Sequence, residues 1–333
     1  MLLPFLNTAT SPPRAAVVDP EPPTVPYLHG AGPWANPPVP IMADHVTTED
    51  GSVAHGMDGS YVHPSVLDFA TLTPEGAWGG HRYWMGNSEY STHGREDTMI
   101  LASEDGYNWA QPEGADPGPV WRTADQLPYR AGVNTDVELA YDPGTDVLVQ
   151  LWRQDNNDDR GLPARLWYSE SSDGIGWTTP QQILDGETHS FISPSVVPDG
   201  RGGWWMFSWG NSPARRTAAT LAGPWSSPVP TTGIRPWHGG VWRDPLTGKV
   251  YGIGGVGGTS LVAFVSDDDG LTFQQKATVL NSRPDSWDHR NLYRPTMQPH
   301  PDGEHFRVWY STNGYPGPDN RTGYVIVPRS KWD

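Results

Sequence analysis

Five polar residues open five similar apolar segments: His63 in HPSVLDF, Asp136 in TDVELAY, Ser193 in SPSVVPDG, His238 in HGGVWRDPLTG and Arg294 in RPTMQPHPDG. Trp237 and Tyr293 immediately precede two of them. Two imidazoles and a carboxylate can take up protons or ligate a cation. Ser and Arg can hydrogen-bond sugar hydroxyls, and Trp and Tyr offer flat faces with a polar handle. Trp152, in VLVQLWRQ, adds a third aromatic of this kind. Paired carboxylates would be a different chemistry. Inverting cleavage of a glycosidic bond needs two of them, roughly 6.5–9.5 Å apart. Asp136 and Glu138 are the candidates; two positions apart on an alternating strand, they share a face, with Glu138 one step further along. Asp68 is out of phase with His63 and is expected to face away. Glu89 and Glu187 lie in loops.

The segments that carry these residues recur. Their starts at 63, 136, 193, 238 and 294 are separated by 73, 57, 45 and 56 residues. Each is followed by a turn and a second, aromatic strand, such as HRYWMGNS, VLVQLWRQ, GWWMFSWG, KVYGIGG and HFRVWYSTNG. A unit of this size, repeated, is the signature of propeller blades. A further repeat, Asp-Gly-x-x-aromatic, occurs in SEDGYNW, SSDGIGW and DDDGLTF, with AGPW in the third unit. There Gly supplies a positive φ and the aromatic anchors the returning strand. The fold class expected is all-β: a single five-bladed β-propeller over 51–333, preceded by a Pro-rich extended arm over 1–50. In a propeller the inner strands line the channel, so His63, Asp136, Ser193, His238 and Arg294 are expected to meet at one mouth. The fifth unit ends after GYVIVP with three strands, and residues 39–50 are candidates to supply the fourth and close the ring.

Composition agrees. Gly 38 and Pro 35 in 333 residues suit short strands and turns rather than long helices. Trp 17 and Tyr 13 outnumber Phe 7, so some rings are expected in stacking positions and others, Trp204 or Trp205 and Trp309 among them, in the core. A formal charge of −16 argues against nucleic acid and against an anionic membrane surface as partners. With Cys 0, thiolate metal sites and disulfides are excluded. The opening apolar run, Leu2 to Leu6, is interrupted by Pro4 and lacks a basic lead, so no signal peptide is expected. GIGGVGG falls in a strand and turn with no following helix to cradle phosphate, and WRQDNNDDR lacks the Gly and Glu of a calcium loop. No cofactor is demanded; a cation on the propeller axis, held by His63, His238 and Asp136, is the one option these residues leave open.

The segment starts HPSV, NTDVEL, SPSV, PWHGGV and YRPTM, with the Asp-Gly-x-x-Trp and Gly-Pro-Trp hairpins, resemble the five-bladed propellers of glycoside hydrolase family 43, over about residues 55–330. They are also similar to family-43-like propellers of bacteriophage tail and virion proteins. The resemblance implies a base Asp on the first blade, a second Asp on the second and an acid Glu on the third. This sequence reads His63, Asp136 and Ser193, so only the second matches. The function it implies is therefore a carbohydrate-binding virion protein, a minor tail protein recognising cell-wall polysaccharide for host attachment, with a degenerate glycosidase-like site and leaning to no enzymatic turnover. On that reading it contacts other virion proteins through the arm and is found in the virion or outside the cell after lysis. The alternatives are an active arabinofuranosidase- or xylosidase-like hydrolase using Asp136 and Glu138, and a purely structural virion propeller. The ligand-binding set common to the first two is His63, Asp136, Ser193, Trp237, His238, Tyr293, Arg294 and Trp152.

Overall fold

The computed structural model describes residues 61–90, 96–115, 120–121, 133–155, 163–187, 190–283, 288–289, 291–313 and 321–333, together with four short strands before them. Those four are β1 (Val39–Pro40), β2 (Met42–Asp44), β3 (Val46–Thr47) and β4 (Val53–Ala54). Blade 1 follows with β5 (Tyr61–Asp68), β6 (Tyr83–Tyr90), β7 (Glu96–Ser103) and β8 (Asn108–Ala110). Blade 2 is β9 (Val133–Asp142), β10 (Val147–Asp155), β11 (Ala164–Ser171) and β12 (Gln181–Gly186). Blade 3 is β13 (Ile192–Pro198), β14 (Trp204–Trp209), β15 (Ala214–Ala218) and β16 (Val229–Pro230). Blade 4 is β17 (Gly239–Arg243), β18 (Val250–Val256), β19 (Ser260–Ser266) and β20 (Gln274–Asn281). Blade 5 is β21 (Asn291–Pro299), β22 (His305–Asn313) and β23 (Thr322–Pro328), ending in a 3-10 turn over Arg329–Trp332.

The protein is thus an all-β, five-bladed propeller. Each blade is an antiparallel meander. In blade 5 the fourth position is taken by β1, paired antiparallel with β23 (Val39 opposite Tyr324). β2 then pairs in parallel with β8 on the outer edge of blade 1. The N-terminal segment therefore bridges the first and last blades. The C-terminus adds a second clasp: Trp332 Nε1 donates to Gly252 O of blade 4 at 2.7 Å while its ring packs on Phe306 of blade 5.

Cohesion lies between the blades. One hydrophobic cluster joins blades 1 and 5 (Met85, Trp109, Trp309), another blades 1 and 2 (Trp84, Leu139), another blades 2 and 3 (Leu166, Met206), another blades 3 and 4 (Trp209, Phe264) and another blades 4 and 5 (Leu280, Phe306). No blade could bury its faces alone, which is why the repeat must close into a ring. Trp204, Trp205 and Trp309 are all buried in these clusters.

The Asp-Gly hairpins explain how neighbouring blades find their spacing. Asp105 Oδ1 accepts from the N–H groups of Tyr107 and Asn108, and Asp173 Oδ1 from those of Ile175 and Gly176. The turn glycine then lies flat on an aromatic of the preceding blade. Gly174 has φ of 76°, and a Cβ there would stand 2.1 Å from Trp84 Cη2. Gly270 packs on Phe207, and Gly106 O accepts the indole N–H of Trp309 at 2.8 Å. Among the described residues no helix is long and apolar enough to cross a membrane.

Candidate functional site

Four inner strands carry a bulge at the same place. Register shifts fall between Val62 and Ser65, across Asp136 and Val137 (opposite Trp152), between Ile192 and Ser195, and between Leu292 and Pro295. At each, two residues face one on the second strand, so the strand bends and re-aims a side chain. His63, Asp136 and Ser193, the first residues of three of these bulges, have φ of 59°, 55° and 44°. A left-handed backbone is costly for residues other than Gly, about 1–3 kcal/mol in sparsely populated regions, and clusters at functional sites. The strain delivers three side chains from three blades to the axis.

Around Asp136 they meet. Its Oδ2 accepts from Arg153 Nη1 at 2.9 Å, and its Oδ1 accepts from Ser193 Oγ at 3.1 Å. His238 Nδ1 lies 3.2 Å from Asp136 Oδ1 and 2.7 Å from Ser193 Oγ. His63 Nδ1 faces Thr135 Oγ1 at 3.0 Å and the Asp136 N–H at 3.4 Å. Tyr293 covers the cluster, its ring centroid 4.1 Å from that of His238 and 5.2 Å from that of His63. His63, Asp136, Ser193 and His238 are all buried. Arg153 is also tied to Asp155.

Burial sets the charge states. It pushes the His63 imidazolium well below its ordinary value, against the pull of Asp136, with His238 and the Arg294 and Arg153 guanidiniums adding to the lowering. Burial likewise lowers His238. Burial alone would raise Asp136; the two imidazoles and Arg153 outweigh it and hold the carboxyl well below the usual range. The site is a carboxylate flanked by neutral imidazoles.

One ligand atom each from His63, Asp136 and His238 lies within 4.8 Å of the others. The Nε2 atoms of both histidines are buried and make no hydrogen bond among the described residues. Such groups normally find a partner. Two imidazoles and a carboxylate from three different blades fit a divalent transition-metal ion, and three protein ligands leave a position open for water or substrate. Ser193 and Arg153, bonded to Asp136, would orient that ligand.

Glu138 sits elsewhere on the axis. Its Oε2 accepts from Ser65 Oγ of blade 1 at 2.8 Å and from Arg294 Nη2 of blade 5 at 3.0 Å, and its Oε1 accepts from Val196 N–H of blade 3 at 2.8 Å. Burial raises its pKa to about 7, against Arg294 and these hydrogen bonds. Arg294 also donates to Pro194 O at 3.0 Å. Both residues join blades.

His63, Asp136, Ser193, His238 and Tyr293 converge, and Trp237 is half exposed beside His238. Trp152 is a correction: its indole is fully buried with Val137 and Trp167, so it packs and cannot stack on a ligand. The bulge opposite it turns Asp136, not Trp152, to the axis. Asp68 is buried between blades 1 and 5, paired with Arg82 and Arg307. Glu187 is exposed; Glu89 falls within β6 and not in a loop, and its side chain lies outside the described residues. Thr135, Arg153 and Glu96, the last 3.6 Å from His63 Nδ1, complete the site and were not singled out. A charged residue inside the apolar run Val147–Gln154 was the available signal for Arg153.

No family model matches the chain. It is 25% identical, over 83% of its length, to the A type blood N-acetyl-alpha-D-galactosamine deacetylase of Flavonifractor plautii, and the match spans 44% of that relative. An N-acetylgalactosamine deacetylase from F. plautii, crystallised with blood group B trisaccharide, superposes with a TM-score of 0.70 at 20% identity, covering 88% of this chain and 95% of that one. The family-43 protein BlXynB from Bacillus licheniformis (TM-score 0.58, 16% identity, 82% and 58% coverage) and an exo-beta-1,3-galactanase from Clostridium thermocellum (0.59, 14%, 87% and 62%) share the fold.

Proposed function

We propose that this propeller binds glycan across the mouth lined by Tyr293, Trp237 and the histidines, and that it removes an N-acetyl group from a sugar held there. The single observation that carries the reading is the His63–Asp136–His238 set, with two buried Nε2 atoms that have no protein partner. The similarity to a protein named as an N-acetylgalactosamine deacetylase supports it. It replaces the expectation of binding without turnover, because His63, standing where a glycosidase would keep its base Asp, is itself a good cation ligand, and Asp136 and His238 complete the set.

A divalent ion held by these three residues would supply Lewis-acid polarisation of the amide carbonyl and a water of lowered pKa. The protein's own part is to place the sugar and keep the site ordered. Tyr293 and Trp237 present faces on which a pyranose can stack. Burial keeps both imidazoles neutral and so able to ligate. Arg153 and Ser193 fix the Asp136 carboxylate. In the net reaction water adds its oxygen to the carbonyl carbon, the C–N bond breaks, and the departing nitrogen takes up a proton, giving acetate and the free amino sugar. In this reading Glu138 is part of the frame and not a partner of Asp136.

The test is incubation of the purified protein with N-acetylgalactosamine- and N-acetylglucosamine-bearing glycans, with metal content and released acetate both measured. About one divalent ion per chain and chelator-sensitive acetate release are expected. Glycan binding without metal or acetate would return the reading to a binding module. Release of reducing sugar would favour the glycosidase alternative.

The narrower placement, as a virion protein attaching to host cell-wall polysaccharide, is carried by the Pro-rich arm and by the phage resemblance alone. Most of residues 1–50 lie outside the described residues, and so does the docking expected of them. Co-sedimentation of the protein with purified phage particles would support this placement; its absence from them would end it.

A further inference from the structure

A cleft of about 340 Å³ opens beside the metal-ligand set, between the inner strands of blades 4 and 5. His238 and Tyr293 form its inner wall, so it is continuous with the site described above. Trp237 stands on its rim, 42% exposed, one of the few large apolar side chains left open to solvent among the described residues. The floor is backbone of Gly255, Gly257 and Gly258. Gly257 and Gly258 have φ of 64° and 74°, and a Cβ at Gly258 would stand 2.9 Å from Asn291 Oδ1. The floor therefore stays flat and lets a ring lie against the main chain.

The charge in this cleft runs against the rest of the molecule. The chain carries Asp+Glu 38 against Lys+Arg 22, yet among the described residues no carboxylate lines the cleft, and Arg235 does. Arg235 is exposed and makes no ion pair or hydrogen bond among the described residues. A guanidinium is a planar fork suited to two oxygens of one anionic group. Trp237 offers a stacking face at the same rim, and Asn291 a donor and an acceptor for hydroxyls.

We infer that this cleft is a subsite for a negatively charged sugar, one that bears a carboxylate or a phosphate ester, lying next to the residue presented to His63, Asp136 and His238. The inference rests on the glycan-binding reading and sharpens it: the substrate is an acidic polysaccharide. Trp237 takes the ring face, and Arg235 takes the anionic group and selects against neutral sugars.

Galacturonate, galactose 6-phosphate and galactose, titrated into the full chain and followed by tryptophan fluorescence, test this. The measurements are made with and without a chelator, so that a carboxylate bound to a metal is not mistaken for one bound to Arg235. At least one anionic sugar should bind about tenfold or more tighter than galactose, as expected for a charge-assisted pair. The preference should survive the chelator, shrink with added salt and fall to near parity in Arg235→Ala. Which of the two binds tighter tells carboxylate from phosphate. Trp237→Ala should weaken all three sugars alike. Equal binding of galactose, binding of none of the three, or an unchanged preference in a folded Arg235→Ala variant would each overturn the subsite. These probes carry no N-acetyl group, so failure of the deacetylase reading would leave the result readable.

Discussion

Arg294 of blade 5 donates to Glu138 of blade 2 at 3.0 Å, across the centre of the ring. Glu138 is buried, and its pKa is raised to about 7. Between its ordinary value of 4.5 and about 7, the folded protein keeps a proton that the unfolded chain has shed. This group's contribution to stability therefore falls as pH rises through that window. Glu138→Gln cannot titrate and keeps an acceptor for Ser65 and Arg294. Its stability relative to the parent, measured by urea unfolding, should improve between pH 5 and pH 8 by on the order of 2–3 kcal/mol. A constant difference across that range would show that Glu138 does not titrate there.

Arg294 should behave differently. Arg294→Met leaves the Glu138 carboxyl without its cation, and breaking one side of a buried pair costs about 3–5 kcal/mol. The loss should be larger at pH 8, where Glu138 would have to ionise alone, than at pH 5. Thermal unfolding of the variant at the two values reads this directly.

His63 and His238 carry the opposite sign. Burial lowers both, so below the ordinary value of 6.5 the unfolded chain binds protons that the folded chain refuses. Their contribution to stability is present above that value and is lost as pH falls through their lowered values. Imidazole nitrogen shifts should show both rings taking up protons only below the ordinary histidine range, His63 further below it than His238. Divalent-ion affinity should decline only at pH values below those of an ordinary histidine titration; a decline that tracks an ordinary histidine titration would contradict the burial argument.

Asp136 gathers the site, and Arg153 holds it. Asp136→Asn should lose measurable metal binding. Arg153→Met should leave the ligands present but looser, with metal affinity lowered about 10–100-fold, as for other outer-sphere partners. Calorimetric titration with Zn2+ and Co2+ separates the two effects, and the visible spectrum of bound Co2+ reports whether the geometry has changed.

Gly174 lies against Trp84 with φ of 76°. Gly174→Ala must displace that indole and hold a strained backbone, at a cost of about 2–4 kcal/mol. Deletion of residues 1–44 removes β1 and β2 and should lower the melting temperature, because the fifth blade then ends on an open edge at β23. An unchanged melting temperature would mean that β1 contributes nothing to closure.

The repeat made the blades legible in the sequence, since five polar residues at five strand starts have one natural meeting place. His63, Asp136, Ser193 and His238 meet there because each stands near or just before the start of the inner strand of its blade. Trp152 was misassigned because the bulge opposite it lies in β9, where it turns Asp136 to the axis and leaves Trp152 packed on Val137, and no residue pattern in VLVQLWRQ announces that. Arg153 and Glu96 were hard to find for a related reason: their partners lie on other strands, and pairing across blades is not written in local spacing. The cleft beside Trp237 depends on how two blades splay, which no single repeat encodes.

The bulges at His63, Asp136 and Ser193 separate posture from identity. At each of these points the main chain, not the side chain, does the reaching, and the bend is secured by hydrogen bonds to the neighbouring strand. What sits on the bend can then be exchanged while the wheel around it stays the same. An imidazole on the first spoke and a hydroxyl on the third are mounted on the same kind of bend. The ring is in this sense a chassis with interchangeable sockets, and the chemistry at its hub can be rewritten one residue at a time.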